Sequence, residues 1–243
     1  MKERATSKKS LLVPRVLPRG RHKLDREVVA ASQRQRLLEA MAELVAEHGY
    51  AAVTIGDIAT RAGTAKRTFY DHFADKEQCF LAALDGITDT LVQATARFFA
   101  MPGTVRERCE YSLRAYLELL GSMPSASKIF YLEAMATGPE AIDRRTEMLL
   151  RFAHNIVALS REAEAQGDGR EISEQHALAV VGALHTLIFH QVHGNGPESL
   201  LDIIDEVVPL AVAFLTARVP AARAIEPGDA RKRKRAGSAA SRE

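Results

Sequence analysis

Residues 54–73 contain two short helical patterns on either side of a glycine turn, and this arrangement restricts the fold more than any other feature of the chain. Thr54 precedes Asp57 by three residues, a spacing typical of a helix N-terminus. Gly63 ends the first pattern, because glycine accepts the left-handed conformation that redirects the chain. A second pattern follows at Lys66–Phe73. The stretch therefore predicts a helix-turn-helix, with one face of its second helix left free.

The rest of the chain also has a helical composition. Ala, Leu, Glu and Arg are frequent, and at 47% hydrophobic residues the 243-residue chain has enough apolar side chains for a sizeable core. Pro- and Gly-containing breaks separate the helical patterns, and no segment alternates as a strand does. The first helix is predicted to start near Ala31, with Ser32 and Gln35 as a capping box. We predict an all-α fold of about nine helices, near residues 31–48, 55–62, 66–73, 76–100, 105–121, 127–136, 142–166, 173–193 and 200–217.

The charge is unevenly distributed along the chain. Residues 1–27 carry a net charge of +6, residues 28–217 carry −9, and residues 218–243 carry +5. Both ends lack hydrophobic periodicity, which predicts a disordered basic arm and a disordered basic tail. A basic arm beside a helix-turn-helix suits contact with DNA phosphates, and the alternative is a solubilising terminus. Between these ends we predict a DNA-binding domain at 28–79 and a second helical domain at 80–217.

The region around the helix-turn-helix resembles the DNA-binding domain of the TetR (tetracycline-repressor) family of bacterial transcriptional regulators. The resemblance covers residues 34–81, while residues 82–217 agree with the family only in length and helicity. Its motifs are Asp57-Ile58-Ala59, Ala62-Gly63, Phe69-Tyr70, His72-Phe73 and Lys76-Glu77. The resemblance implies an N-terminal three-helix DNA-binding domain, followed by a helical domain that binds an effector and forms a homodimer.

The resemblance also implies which residues contact DNA. The positions that hold phosphates or other parts of the DNA backbone are Thr54, Tyr70, Lys76 and His72. The positions that read bases at the start of the recognition helix are Lys66, Arg67 and Thr68. Two departures from the family pattern stand out. The turn has Thr64 and Ala65, so the third helix lacks its usual serine cap unless Thr64 replaces it, and Arg67 stands where a small residue is common.

The last two predicted helices are apolar on more than one side, so they need burial on more than one side. Pairing with a second copy of the chain would provide it, and the alternative is burial within one subunit. The predicted dimer interface consists of Val181, His185, Ile188, Val207, Leu210 and Phe214.

An effector pocket is expected among the fourth to eighth helices. Its predicted lining is Phe98, Tyr116, Phe130, Tyr131, Met135, Phe152, His154 and Phe189. Aromatic and sulfur-containing side chains with few charges favour an apolar or aromatic ligand, although each of them is also an ordinary core residue.

The sequence contains no catalytic or cofactor motif, so an enzyme is not expected and no cofactor or metal is predicted. His185, His190 and His193 could bind a metal but lack a nearby partner of the right type. Cys79 and Cys109 form no CxxC pair, which favours a reducing cytoplasm over a secreted or membrane protein. The predicted function is a homodimeric repressor released from a palindromic operator in double-stranded DNA by a small molecule. The alternatives are a ligand-free helix-turn-helix protein, controlled by a protein partner or acting at many chromosomal sites, and an enzyme or metal sensor.

Overall fold

The computed structural model describes residues 26–216, apart from the side chains of residues 135 and 136. This part of the chain contains nine helices and no strand, which confirms the predicted all-α fold. The three N-terminal helices are α1 (Arg26–His48), α2 (Ile55–Arg61) and α3 (Lys66–His72), with a short 3-10 turn at Tyr50–Ala52. The other uninterrupted α-helices are α4 (Lys76–Phe99), α5 (Val105–Ser122), α7 (Pro139–Gln166), α8 (Glu174–Asn195) and α9 (Ile204–Thr216), the last preceded by a 3-10 segment at Pro197–Ile203.

Helix α6 changes its hydrogen-bonding pattern twice. It begins as an α-helix at Pro124–Lys128, widens to a π-helix at Ile129–Glu133 and ends as an α-helix at Ala134–Thr137. Phe130 and Tyr131 lie in the wide segment, and both are buried. π-helical turns are rare in proteins, but those that exist are often found at functional sites. This part of α6 is therefore a candidate functional segment.

The N-terminal unit forms as its sequence pattern predicts. The Thr54 hydroxyl accepts a hydrogen bond from the Asp57 amide at 3.2 Å, and the Asp57 carboxylate accepts one from the Thr54 amide at 3.0 Å, which completes a capping box. Gly63 has φ +63° in the turn. Ile58 and Phe69 are fully buried in the same core. This packing leaves the opposite side of α3 exposed.

The predicted start of the first helix is wrong. Helix α1 already includes Arg26 and Glu27, so the predicted boundary at residue 27 falls inside it, and Ser32 is a buried mid-helix residue and not a cap. No breaker occurs in this segment, and a small serine packs readily against a neighbouring helix. The rest of the predicted arm, residues 1–25, and the tail at 217–243 lie outside the described residues.

Two later helices also start earlier than predicted, at Pro124 and Pro139. Both prolines were expected to separate helices. They occupy the first turn of a helix instead, where the missing N–H of proline would have no partner in any case.

Helix α4 connects the two parts of the protein. Asp75 caps its N-terminus by accepting from the Gln78 amide at 2.8 Å. Along its length α4 packs against α1, α5 and α7, while α9 packs against α5 and α8. At the far end the buried guanidinium of Arg108 donates to the Phe99 carbonyl and the Glu162 carboxylate, which fixes the end of α4 to α5 and α7.

Helix α8 is long and apolar enough, by length and composition alone, to cross a membrane: its most apolar 18-residue window has a mean hydropathy of 1.2. Its apolar side chains are used inside the protein instead. The buried ones are Ala177, Val180, Val181, Leu184, Ile188 and Val192. We therefore interpret α8 as a core helix.

Candidate functional site

Helix α3 presents a polar face to solvent. Phe69 anchors its inner side, while Lys66 and Arg67 are exposed in its first turn and Tyr70 is 52% exposed one turn later. Thr68 is half-buried. Two cations and a phenol on one short helix form a surface that is suited to the edges of bases and to phosphates.

The start of α3 has no side-chain cap. Its N-cap residue is Ala65, and the Thr64 hydroxyl donates to the Ala59 carbonyl at 3.4 Å. Thr64 therefore does not replace the missing serine cap, and it ties the turn back to α2.

Lys76 at the start of α4 is directed towards the protein. Its ammonium donates to the carbonyls of Tyr50 and Val53, both at 2.9 Å, and lies 4.2 Å from the centre of the Tyr50 ring. Burial raises the pKa of Tyr50. This cation thus braces the turn between α1 and α2, a role that the sequence did not indicate.

Two further predicted DNA contacts have internal partners. The Thr54 hydroxyl donates to the Asp57 carboxylate at 2.6 Å, and this bond is the main cause that lowers the pKa of Asp57. His72 Nε2 lies 3.4 Å from Gln33 Oε1 of α1, and burial lowers the pKa of His72. Arg34 of α1 stacks over Phe73 at 5.3 Å and is exposed beside this face, although sequence reasoning did not select it.

A cavity of about 80 Å³ lies between α4, α5, α6, α7, α8 and α9. Its wall is almost entirely apolar. The lining residues are Thr95, Phe99, Cys109, Ser112, Leu113, Tyr116, Tyr131, Met148, Leu149, Phe152, Ile156, Leu159, Val180, Val181, Leu184, His185, Ile188, Ala211 and Leu215.

Polar groups gather at one place in this wall. The hydroxyls of Tyr116 and Tyr131 are 2.8 Å apart, and the His185 ring packs on the Tyr131 ring with centroids 4.5 Å apart. Arg145 Nη2 lies 3.1 Å from His185 Nδ1. Burial, followed by the charge of Arg145, lowers the pKa of His185 to about 4, and burial raises the pKa of both tyrosines.

One hydrogen bond links the wide segment of α6 to the DNA-binding unit. The Tyr50 amide donates to Glu133 Oε2 at 3.0 Å. Glu133 and the cavity residue Tyr131 belong to the same five-residue π segment. A displacement of this segment at the cavity would therefore act on the turn that Lys76 also holds.

Residues 37–83 match the family described as "Bacterial regulatory proteins, tetR family". These residues therefore form a DNA-binding domain of the TetR type. It is 25% identical to the HTH-type transcriptional activator FasR of Mycolicibacterium smegmatis over 51% of this chain and 56% of that protein. It is also 25% identical to the HTH-type transcriptional regulator RutR of Escherichia coli, over 65% of this chain and 74% of RutR. TetR-family proteins regulate transcription through a DNA-binding helix-turn-helix, which here is the α2–α3 unit.

Solved structures agree on the fold. The regulator FadR of Bacillus subtilis, solved in complex with stearoyl-CoA, superposes with a TM-score of 0.67 over 74% of this chain and 98% of that one, at 18% identity. The fatty acid degradation regulator FadR of Bacillus halodurans gives the same TM-score over 74% of this chain and 94% of that one, at 19% identity. The TetR fold thus covers the cavity-bearing helices as well as the DNA-binding unit.

Three of the eight predicted pocket residues line the cavity: Tyr116, Tyr131 and Phe152. The other described members lie elsewhere. Phe98 is half-buried beneath Arg97, with Phe99 in its place at the wall, and Phe130 is buried behind Tyr131. His154 is exposed and 3.2 Å from Glu174, and Phe189 stacks with His193. The side chain of Met135 lies outside the described part.

The remaining histidines do not form a metal site with His185. His185 faces the cavity, whereas His190 and His193 flank Phe189 on the exposed side of α8. Among residues 26–216 no group of three or more His, Cys, Asp or Glu side chains is placed to hold a metal ion.

The predicted dimer interface needs correction. Val181, His185 and Ile188 line the cavity, and Val207 is fully buried in the subunit's own core. Periodicity identified two apolar faces on each helix but not which one points inwards. Of the six predicted residues only Leu210, half-buried, and Phe214, 39% exposed, reach the surface. The outward apolar residues of the two helices include Leu178, Leu187, Phe189, Leu210 and Phe214, and Ile203 lies beside them in the preceding 3-10 segment.

Proposed function

We propose that this TetR-family chain is a homodimeric transcriptional repressor, released from a palindromic operator when a small apolar or aromatic molecule enters the cavity. The position of α4 carries the proposal. Only residues 73–75 separate it from α3, and its last turns supply Thr95 and Phe99 to the cavity wall. One helix of 24 residues, about 36 Å long, thus joins the exposed reading face to the cavity.

On DNA, the exposed start of α3 would enter the major groove. Arg67 and Lys66 suit guanine edges, Thr68 the neighbouring base, and Tyr70 a phosphate. Thr54 and His72 are proposed to approach the DNA backbone at the margins of this face. Lys76 is proposed to act indirectly, because its ammonium holds the α1–α2 turn that supports α3. In the cytoplasm such a protein would be found on the nucleoid.

Two reading helices are needed for a palindrome, and the outward residues of α8 and α9 would pair them. Phe214 and Leu178 expose more than a third of their surface on these helices. A two-fold contact through this face would bury them and would place the two copies of α3 about one turn of DNA apart, ~34–36 Å.

The cavity size suggests how an effector would act. A cavity of about 150 Å³ takes up benzene, whereas this one measures about 80 Å³. An effector larger than a few atoms would therefore have to push the wall outwards, and it would bind an expanded arrangement of the helices more tightly than this one. Two of the displaced elements, α4 and the wide segment of α6, contact the DNA-binding unit directly.

The test is operator binding with and without effector. A palindromic site would first be selected from random DNA, and apolar and aromatic compounds would then be screened for release of the protein. We expect Phe152→Ala, in the cavity, to retain operator affinity and to change the response to the compound. The matched control, Lys66→Ala on α3, should lose operator affinity and keep compound binding.

If no compound changes operator affinity, and release depends on a protein that binds the outer surface, the partner-controlled alternative is correct. If the selected sites lack two-fold symmetry, the homodimeric arrangement is wrong. If a reporter gene behind the operator is expressed more strongly with the protein than without it, in the absence of the compound, the protein is an activator and the proposed repression is wrong.

A further inference from the structure

Tyr116, Tyr131 and His185 form one polar position in the cavity wall, and the other two hydroxyls of the wall, those of Thr95 and Ser112, already donate to main-chain carbonyls. His185 is 6% exposed, and among the described residues its Nε2 atom has no hydrogen-bond partner. A buried polar atom without a partner costs free energy, so a residue of this kind in a cavity wall indicates a ligand group that completes it.

The contact with Arg145 determines what that ligand group must be. A guanidinium only donates hydrogen bonds, so Nδ1 of His185, at 3.1 Å from it, must accept. The neutral ring then carries its proton on Nε2. The depressed pKa of His185 agrees with a neutral ring near pH 7. His185 Nε2, the atom without a partner, is therefore a hydrogen-bond donor, and the ligand group that completes it must be an acceptor.

The two tyrosines provide a second donor at the same place. Their hydroxyls share one hydrogen bond of 2.8 Å, which uses the hydrogen of one hydroxyl and leaves that of the other available. Tyr131 also packs against the His185 ring, so both donors belong to one small region. The charge of Arg145 behind His185 further favours a negative group.

We propose that the effector is a slender apolar molecule whose single polar end is a hydrogen-bond acceptor, a carboxylate or an ester carbonyl, bound by His185 Nε2 and the Tyr116–Tyr131 pair. The rest of the molecule lies against the apolar wall around Phe152 and Ile156. This inference rests on the proposed release of DNA by a cavity ligand, and it adds the chemical class of that ligand.

The experiment compares three probes of one shape by isothermal titration calorimetry: 3-phenylpropanoate, its methyl ester, and isopentylbenzene, in which an isopropyl group replaces the carboxylate. The proteins are the wild type, His185→Leu and Tyr116→Phe, with circular dichroism to verify the fold. We expect the wild type to bind the acid, the ester or both about tenfold or more tighter than the hydrocarbon. His185→Leu should lose most of that preference and still bind the hydrocarbon as the wild type does, whereas Tyr116→Phe should lose less of it, because the Tyr131 hydroxyl can still donate.

Comparing the affinities of the acid and the methyl ester distinguishes a carboxylate acceptor from an ester carbonyl. Preference for the acid over the ester supports a role for the Arg145 charge, and equal affinity supports the neutral acceptor. Equal affinity of the wild type for acid, ester and hydrocarbon, or an unchanged preference in His185→Leu, would overturn the inference. If all three probes fail to bind while other apolar compounds release DNA, the acceptor class is wrong but the proposed function remains; if no apolar compound releases DNA, the proposed function itself fails.

Discussion

Replacing Lys76 with methionine distinguishes a structural role from a DNA contact. The family resemblance assigns Lys76 to a phosphate, whereas its ammonium here donates to the carbonyls of Tyr50 and Val53 and lies over the Tyr50 ring. Methionine retains most of the alkyl stem and removes only the charged donor. The two roles predict different changes in measurable quantities, so one variant decides between them.

The magnitude follows from the three contacts. A hydrogen bond from a charged group contributes about 1.5–3 kcal/mol when buried, and Lys76 is only half-buried, so we take about 1 kcal/mol for each of its two bonds. The contact with the ring adds about 0.5–1 kcal/mol. Lys76→Met should therefore lower the free energy of unfolding by about 2–3 kcal/mol, and the melting temperature by about 4–12 °C for a domain of this size.

The assay combines thermal unfolding with operator binding at several salt concentrations. In the structural role, the variant unfolds earlier and, below its melting temperature, keeps the wild-type slope of log affinity against log salt concentration. A lost phosphate contact would instead reduce the magnitude of that slope by about 0.9 for each subunit, or about 1.8 for a dimer on its operator, with stability unchanged. Lys66→Ala is the control, because Lys66 is exposed on α3 and its loss should lower operator affinity and the salt slope without lowering the melting temperature. A stable Lys76→Met protein with a reduced slope would refute the structural role.

The remaining predictions concern DNA reading, pairing, the basic arm and pH. Arg67→Ala should cost about 1–3 kcal/mol of operator affinity in each half-site and relax preference at one base of each, as measured by site selection. Phe214→Asp should produce monomers in analytical ultracentrifugation with little loss of stability, whereas Val207→Asp, in the core, should unfold the subunit. Deleting residues 1–24 should reduce the salt slope of DNA binding, and an unchanged slope would make them a solubilising terminus. Because the folded pKa of His185 is about 4 and its ordinary value is 6.5, the unfolded chain binds a proton first as pH falls. Wild-type stability should therefore decrease between pH 6.5 and 4 more than that of His185→Leu in pH-dependent thermal unfolding, and equal decreases would refute this.

The DNA-binding unit could be predicted from sequence because its geometry depends on local residue types. The Thr54–Asp57 cap, the Gly63 turn and the buried Phe69 each have a short-range physical cause, and the structure contains all three. The start of α1 was misjudged because a serine followed three residues later by glutamine indicates a cap only when the chain before it is not helical. Helix α1 already runs through Ser32, so tertiary packing overrides the local signal.

The cavity and the outward face of α8 and α9 could be predicted only in part, because both depend on which side of a helix faces inwards. Helix α8 is apolar on most of its circumference, so spacing alone does not separate His185 at the cavity from Phe189 at the surface. For the same reason the prediction chose the wrong one of two neighbouring residues at the end of α4: Phe99 lines the cavity and Phe98 does not. Only the packing of α5, α7 and α9 against these helices determines the side.

If a cavity ligand releases DNA as proposed, the position of Glu133 gives α6 a part in that release, in addition to the part of α4. A long helix fixed by Asp75 at one end and by Arg108 at the other resists bending, so a ligand that displaced only α4 would have to move it as a rigid body. The wide segment of α6 offers a second route, since Tyr131 lines the cavity and Glu133 lies in the same five-residue π segment. A ligand that pushes on Tyr131 would shift the Glu133 carboxylate relative to the Tyr50 amide, and this bond holds the same turn that Lys76 braces. Pressure on the cavity therefore reaches the support of α3 by two routes, and loss of the Glu133 contact would be expected to weaken the response to a ligand while leaving the cavity itself intact.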